Sequence, residues 1–170
     1  MKKKRTGILG VLLAVLALGI GYAVVNAITL TITGSGTISS VAENFKVEYT
    51  NVAVANKSSN VTTTQSVSGT TGSFTVTGMT KKGDYAEFTF TITNSSEGLS
   101  AVLGTPAIAS GYNSEYFTVT STTNSPTTLT STGATNTTTQ TVRVEAAKTP
   151  TADQTSGTIT ITLAATPQPE

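Results

Sequence analysis

Residues 81–95, KKGDYAEFTFTITNS, decide the fold of this chain. The segment begins with a turn signal in which Gly83 can supply the positive φ that residues with a Cβ avoid. Phe88, Phe90 and Ile92 then alternate with threonines, which places the three apolar side chains on one face of a strand. Each of them stabilises the fold by roughly 1.5–3 kcal/mol when it is fully buried. The segment therefore predicts a β-strand with one face in the core.

The same alternation recurs along the chain between turn signals, and the composition agrees with it. The sequence holds 38 Thr and 17 Ser but only five Phe and five Tyr. Thr is β-branched, so it suits a pleated surface, and its hydroxyl keeps the exposed face wettable without charge. Further alternating runs lie at 28–33, 45–49, 116–119, 141–146 and 158–163. Residues 56–72 are polar and predict only a weak edge strand or a loop.

These runs predict an all-β fold with no helix after residue 27. The architecture expected at this length is a single immunoglobulin-like or jelly-roll-type β-sandwich of about eight or nine strands. We assign the sandwich to residues 28–166 and expect residues 167–170, with their two prolines, to form a frayed tail. The pattern leaves the order of the strands open.

The first 27 residues form a separate segment that predicts export. Lys2, Lys3, Lys4 and Arg5 precede an uncharged run at 7–25, GILGVLLAVLALGIGYAVV, and no charge follows until Glu43. A cationic tip before an apolar run is typical of an export signal, with the positive end held in the cytoplasm. The small residue Ala27 ends an acceptable cleavage tripeptide, so the predicted cut falls between Ala27 and Ile28.

The length of the apolar run leaves two alternatives for residues 1–27. Nineteen residues in a helix span about 28 Å, close to the ~30 Å thickness of the bilayer core. The segment is therefore either a cleaved signal peptide or a retained N-terminal transmembrane anchor. A pilin-type cut after Gly7 is a third alternative, but the run lacks the early acidic residue that such pilins usually carry.

The net charge and the absence of Cys and His exclude several classes of function. Beyond residue 27 the chain has six basic and nine acidic side chains, a net charge of −3, which argues against nucleic acid as a partner. It has no Cys and no His, which removes disulfides, the commonest general base and the best transition-metal ligands. We therefore expect no enzyme, no metal and no cofactor. Asp84 and Glu87 are expected to be solvated carboxylates, as is Asp153 in its loop.

Two further residue patterns leave their meaning open. Tyr85, Tyr112 and Tyr116 lie close in sequence and could stack on a sugar, although such tyrosines also occur at sandwich corners and half-buried edges. Four Asn-x-Ser/Thr tripeptides begin at Asn56, Asn60, Asn94 and Asn136. They matter only where the source organism glycosylates exported proteins.

Several of these segments together resemble small exported proteins of Gram-positive bacteria in the TasA/camelysin group. The resemblance rests on the leader ending Gly-Tyr-Ala at 21–23, on the strand at 28–33, and on the Gly-Asp turn that opens a strand ending at Asn94. The late strands at 142–146 and 159–163 fit the same sandwich. The resemblance implies an export signal cut just before a β-rich domain, and a matrix or fibre subunit. Members of the group polymerise when an N-terminal strand completes a neighbour's sandwich.

The leading functional hypothesis is an exported cell-surface or biofilm-matrix subunit that assembles by strand addition. Ile28, Leu30 and Ile32 form the apolar face of the assembly strand, and their burial contributes roughly 4–9 kcal/mol before ordering costs. The expected partners are copies of the chain or other surface proteins, with residues 7–25 in the membrane at least before processing. The alternative is a monomeric, membrane-anchored extracellular binding or adhesion module.

Overall fold

The structure is a computed structural model that describes residues 44–170. The predicted leader at 1–27, the cut between Ala27 and Ile28 and the strand at 28–33 lie outside these residues. Among the residues described, no helix is long and apolar enough to cross a membrane. The elements are eleven β-strands, so the all-β class is confirmed and the arrangement is consistent with a β-sandwich. They are β1 Val47–Lys57, β2 Thr62–Ser68, β3 Thr71–Thr77, β4 Tyr85–Asn94, β5 Leu99–Leu103, β6 Ala107–Ile108, β7 Phe117–Thr123, β8 Thr128–Leu129, β9 Thr137–Ala146, β10 Ile161–Thr162 and β11 Ala165–Pro169.

One layer is a four-stranded antiparallel sheet in the order β1-β4-β9-β7. The predicted strand, β4, is one of its two inner strands, and every second side chain along β4 is buried. The turn before it forms as expected, with Gly83 at a φ of 86°. Phe88 of β4 is fully buried, because its side chain projects from the inner face of the sheet and packs against Phe74 of β3.

The second layer consists of three separate parts. A three-stranded sheet in the order β11-β5-β8 packs over Ile92 in a cluster with Ala101, Leu103 and Leu129. The β2–β3 hairpin covers Phe88 and Phe90 in a second cluster, to which Ile161 of β10 also packs. The third part is the short pair β10–β6. The four-stranded sheet thus has its inner face covered by pieces that are not joined into one sheet.

Two segments refine or correct the expectation. Residues 62–68 form β2, an edge strand that pairs with β3 along its whole length, where the polar sequence predicts a weak edge strand or a loop. The C-terminal segment, expected as a frayed tail at 167–170, is strand β11, whose Pro167 and Pro169 lie opposite Ala101 and Leu99 of β5. Proline is tolerated there because β11 is an edge strand, where a residue without an N–H can face away from the ladder.

Glu170 holds the end of this last strand in place. Its carboxylate accepts hydrogen bonds from the Ser131 backbone N–H and from the Ser131 and Ser100 hydroxyls. The Ser131 backbone N–H is the main cause of a lowered pKa for the Glu170 carboxyl. The domain therefore extends beyond the predicted boundary at residue 166.

The central role of β4 gives a stability prediction. Phe88→Ala should lower the free energy of unfolding by about 3–5 kcal/mol, because it leaves a cavity beneath the β2–β3 hairpin. The matched control is Val102→Ala, since Val102 is 36% exposed, and we expect a change within about 0.5 kcal/mol. Denaturant unfolding of both variants measures the difference. A loss below about 1 kcal/mol for Phe88→Ala would contradict this account of the core.

Candidate functional site

A long gap runs through the second layer between β3 and residues 157–163. We call this gap the slot. Two adjoining cavities of about 890 Å³ and 400 Å³ occupy it, and they share Gly72, Phe74 and Ile159. The β2–β3 hairpin forms one wall, and the segment that contains β10 forms the other. The four-stranded sheet is the floor.

The two walls run in opposite directions along the slot. The larger cavity is bordered by residues 72–80 of one wall and 153–159 of the other. The smaller cavity is bordered by 70–74 and 159–163. The two walls are therefore antiparallel to each other.

Each wall has a main-chain edge without a strand partner among the residues described. The strand β3 pairs only with β2, and β10 pairs only with β6. An edge of this kind exposes N–H and C=O groups that can pair with another strand. The slot thus lies between two edges available for further pairing.

The floor of the slot is mainly apolar and comes from β1, β4 and β9. Phe90 and Val142 line the smaller cavity, and Val144 lines the larger one. Gly72 permits the close approach of the hairpin to this floor, because a Cβ at that position would lie 2.6 Å from a ring carbon of Phe90. Phe74, two residues on, stacks on Phe88 with ring centroids 5.0 Å apart.

The polar groups of the floor are already satisfied within the domain. The Tyr49 hydroxyl donates to Gln140 Oε1 at 2.6 Å, and Gln140 Nε2 donates to Ser121 Oγ at 2.9 Å. Burial raises the pKa of the Tyr49 hydroxyl, so it stays neutral at physiological pH. The polar groups of the floor are therefore paired within the domain, and the apolar side chains beside them are buried.

A third cavity, of about 250 Å³, continues the slot at one end. It shares Tyr49, Thr70 and Leu163 with the smaller cavity and is also lined by Phe45. The chain enters the described domain here, so we call this the Phe45 end. Lys148 and the loop at 150–156 border the opposite end.

The hairpin wall is fixed at both of its ends. Asp84 Oδ2 accepts hydrogen bonds from Asn60 Nδ2 at 2.8 Å, from the Thr80 N–H at 2.8 Å and from the Lys81 N–H at 3.1 Å. We call these four residues the Asp84 clasp. It joins the residues before and after the hairpin to the start of β4. At the hairpin turn, the Tyr49 N–H donates to the Gly69 carbonyl at 2.8 Å.

The expectation that Asp84 is a solvated carboxylate is wrong. The side chain is only 2% exposed, because the turn at 80–84 folds around it and directs two backbone N–H groups at one oxygen. The Thr80 N–H is the main cause of a lowered pKa for this carboxyl, with Asn60 next, and together they outweigh the effect of burial.

Of the other two carboxylates singled out in the sequence, Asp153 is exposed in its loop and Glu87 lies on the outer face of the four-stranded sheet, beside Glu145. Glu145 and Glu87 flank Arg143, with N–O distances of 2.8 Å and 3.8 Å. The Arg143 guanidinium also lies 3.7 Å from the centre of the Tyr85 ring, and its hydrogen bond to Glu145 raises its pKa. Both carboxylates therefore form ion pairs with the Arg143 guanidinium. Within residues 44–170, no three acidic side chains come together as a metal site.

The tyrosines singled out in the sequence have different surroundings. The face of Tyr85 is covered by Arg143, which removes the stacking surface that a sugar ring would need. Tyr116 lines the larger cavity of the slot, with Lys148 Nζ 5.6 Å from the ring centre. Tyr112 is half-buried in its loop.

The asparagines of the four tripeptides also differ in their surroundings. Asn94 is fully buried, and its side-chain N–H groups donate to the Leu99 and Leu129 carbonyls at 2.8 Å and 3.0 Å. Asn60 belongs to the Asp84 clasp. Asn136 is half-buried, and Asn56 is exposed at the end of β1. In the folded domain, Asn56 is therefore the most open of the four to a glycan.

The Asp84 clasp gives a pH prediction. The pKa of Asp84 is lower in the folded chain than in the unfolded chain, so its stabilising effect is present above about pH 4 and is lost as the pH falls below that value. Asp84→Asn should therefore lower the thermal midpoint at pH 7 by about 5 °C or more. The difference from the unsubstituted chain should shrink towards pH 2.

Thermal unfolding followed by circular dichroism at several pH values measures this effect. Asp153→Asn is the matched control, since Asp153 is exposed, and we expect its midpoint to follow the unsubstituted chain. If the midpoint of Asp84→Asn equals that of the control at pH 7, the Asp84 clasp does not stabilise the hairpin wall.

The chain was compared with known protein families, curated proteins and solved structures. No family model matches the chain, no curated protein matches it, and no solved structure matches it.

Proposed function

We propose that this protein is an exported structural subunit of a cell-surface or biofilm-matrix fibre, assembled by strand addition. In this proposal residues 28–33 of one copy occupy the slot of the next copy and complete its immunoglobulin-like sandwich. The observation that carries the proposal is the slot itself. It has an apolar floor and an unpaired strand edge on either side among the residues described.

The sequence of residues 28–33 suits such a slot. In an extended strand Ile28, Leu30 and Ile32 would share one side and lie on the floor, while the three threonines that alternate with them would face solvent. Six residues in a strand span about 20 Å, and the seven residues of β3 span about 23 Å. Main-chain pairing supplies affinity in this mode of recognition, and pockets for alternate side chains supply specificity.

Strand addition of this kind favours an open filament. The donor segment and the slot are different surfaces of the same chain, so the contact between two copies is head-to-tail. A head-to-tail contact that does not close into a ring continues indefinitely. Burial of the three apolar side chains would contribute roughly 4–9 kcal/mol per junction before ordering costs.

The N-terminal sequence supports export of the subunit. A basic tip and an apolar run precede the assembly strand directly, so a cut between Ala27 and Ile28 would free that strand at a chain end. The resemblance to the TasA/camelysin group points to the same location and the same partners, namely further copies of the chain. The many threonines and serines suit a protein that works outside the cell without charge-mediated binding to nucleic acid.

The first test separates the two faces of the assembly strand. Replacing Ile28, Leu30 and Ile32 together by Thr should abolish filaments, because the floor of the slot loses its apolar contacts. Replacing Thr29, Thr31 and Thr33 by Ser is the matched control and should leave filaments in place. Electron microscopy and sedimentation of the exported chain give the readout. If the first variant forms as many filaments as the control, assembly by strand addition is contradicted.

A second test changes the slot instead of the donor. Ile159→Asp places a charge on the wall where the two larger cavities meet, and we expect at least a ten-fold loss of sedimentable polymer. Val102→Asp puts the same charge on an exposed position of β5 and should assemble normally. Assembly of both variants to the same extent would place the contact outside the slot.

N-terminal sequencing of the exported species tests the processing step. A start at Ile28 is the expected result for a secreted subunit. A start at Met1 or Lys2 in the membrane fraction, together with a monomeric state, would favour the anchored binding module instead.

A further inference from the structure

The two edge strands of the four-stranded sheet differ in how well they are protected against pairing with another chain. Proteins usually discourage such pairing with bulges, prolines, charged side chains or very short strands. The register of β1 with β4 shifts twice along its length. The opposite edge strand, β7, pairs with β9 in an unbroken register over seven residues. Its sequence, FTVTSTT, contains no proline and no charged residue.

The remaining strand edges among the residues described are short, protected or beside a neighbour. The strands β6, β8 and β10 have two residues each, and β11 carries Pro167 and Pro169. The strand β2 packs alongside β1, and β3 borders the slot. The strand β6 lies near β7 but forms its ladder with β10. Within residues 44–170, β7 is therefore the one long edge with neither a protective feature nor an assigned partner.

The hydrogen-bonding pattern shows which main-chain groups of β7 are free. The Asn124 N–H, just after the strand, donates to the Thr139 carbonyl of β9 at 2.8 Å. Because the direction of main-chain groups alternates along an antiparallel ladder, even-numbered residues of β7 direct theirs to β9 and odd-numbered residues direct theirs away from the sheet. In the part of the chain that the structure describes, the main-chain groups of Val119, Ser121 and Thr123 have no hydrogen-bond partner.

We propose that β7 joins two copies of this chain, by pairing antiparallel with β7 of a second copy about a two-fold axis through Thr120. This register pairs all seven residues of both strands. Val119 then lies opposite Ser121 of the second copy and exchanges both main-chain hydrogen bonds with it. Thr120 lies opposite Thr120 of the second copy. The same surface is used on both sides, so the contact closes as a dimer.

A second copy suits this edge because the contact is self-complementary. No like charges face each other across the pair, since β7 has no charged side chain. Thr118, Thr120 and Thr122 are exposed on the outer face of the sheet and form threonine pairs across the axis, which are favourable in antiparallel sheets. The two four-stranded sheets become one sheet that is continuous through both copies.

This contact goes beyond the proposed function because it uses a different surface. The slot lies in the second layer, whereas β7 is an edge of the four-stranded sheet. Strand addition extends a filament head-to-tail, and the β7 pair instead joins two subunits across a two-fold axis. Within fibres, which rest on the proposed function, β7 pairs hold neighbouring fibres side by side. One strand pair is a small interface, so we expect a weak dimer in solution and stronger bundling where many pairs act together.

Disulfide trapping tests the pairing and its register, because the natural chain contains no cysteine. Only a residue on the two-fold axis lies opposite itself. The substitution Thr120→Cys therefore brings two thiols together, with Cα atoms about 4.5 Å apart in a non-hydrogen-bonded pair, a separation that a disulfide spans. Thr118→Cys is the matched control, since Thr118 is also exposed on β7 but lies opposite Thr122. Oxidised glutathione supplies the oxidant, and non-reducing electrophoresis gives the readout.

Both cysteine variants are made in the chain whose Ile28, Leu30 and Ile32 are replaced by Thr, so that strand addition does not contribute. We expect Thr120→Cys to be cross-linked into dimers at least ten-fold faster than Thr118→Cys. Equal rates would overturn the inference. Filaments formed by this triple variant would contradict strand addition alone, since the comparison of the two cysteines does not depend on the slot.

A charge on the axis gives a second measurement in the otherwise natural chain. Thr120→Lys places two lysines opposite each other, and like charges directly opposite are destabilising. Thr50→Lys is the control, because Thr50 is exposed on β1 of the same sheet. Electron microscopy should show at least a five-fold loss of bundled filaments for Thr120→Lys, with single filaments retained. Equal bundling of the two variants would contradict the β7 contact. If neither variant forms filaments, the proposed function fails, and the cross-linking rates decide the β7 contact.

Discussion

The fold depends on burying one aromatic face of β4 beneath the β2–β3 hairpin. Phe88 stacks with Phe74, and Phe90 lies against the bare backbone of Gly72. These contacts hold the hairpin to the sheet without a hydrogen-bonded ladder between them. The hairpin is instead positioned by the Asp84 clasp at its base and by the Gly69 carbonyl at its turn. Removing the aromatic face would leave the hairpin without its apolar contact to β4.

The same arrangement explains why the slot exists. A hairpin held by side chains and two anchoring points does not need a neighbouring strand to stay in place. The pair β10–β6 is likewise held by Ile161 packing against the core. Each part of the second layer is therefore held in place by its own contacts with the core. No pairing between the parts is needed, and the slot between them stays open. A continuous sheet would close it and remove the edges that strand addition requires.

The alternation of apolar and polar residues predicts much of this structure and misses what depends on long-range pairing. The pattern at 81–95 locates β4 and its buried face, since that information is local. For β2, whose sequence is polar, it leaves a weak edge strand and a loop as alternatives, because the pairing with β3 that decides between them is not visible in the residues of β2 alone. It does not predict β11, because its two prolines disfavour a strand until an edge position is available. Asp84 is missed although its turn is local, since alternation of apolar and polar residues does not report on hydrogen bonds to a turn carboxylate, and one donor, Asn60, lies 24 residues away. The slot could not be predicted at all, because it arises between elements whose order the sequence leaves open.

The opposed directions of the two slot walls bear on the polarity of any added strand. A strand placed between them pairs parallel with one wall and antiparallel with the other, whichever way it enters. The completed layer is a mixed sheet in either case, so the main chain provides little discrimination between the two orientations. The apolar face of residues 28–33 is also nearly symmetric, with Leu30 between two isoleucines. Orientation must then come from outside the strand: residues 34–43 continue from one end of it, and processing would create a free chain end at the other.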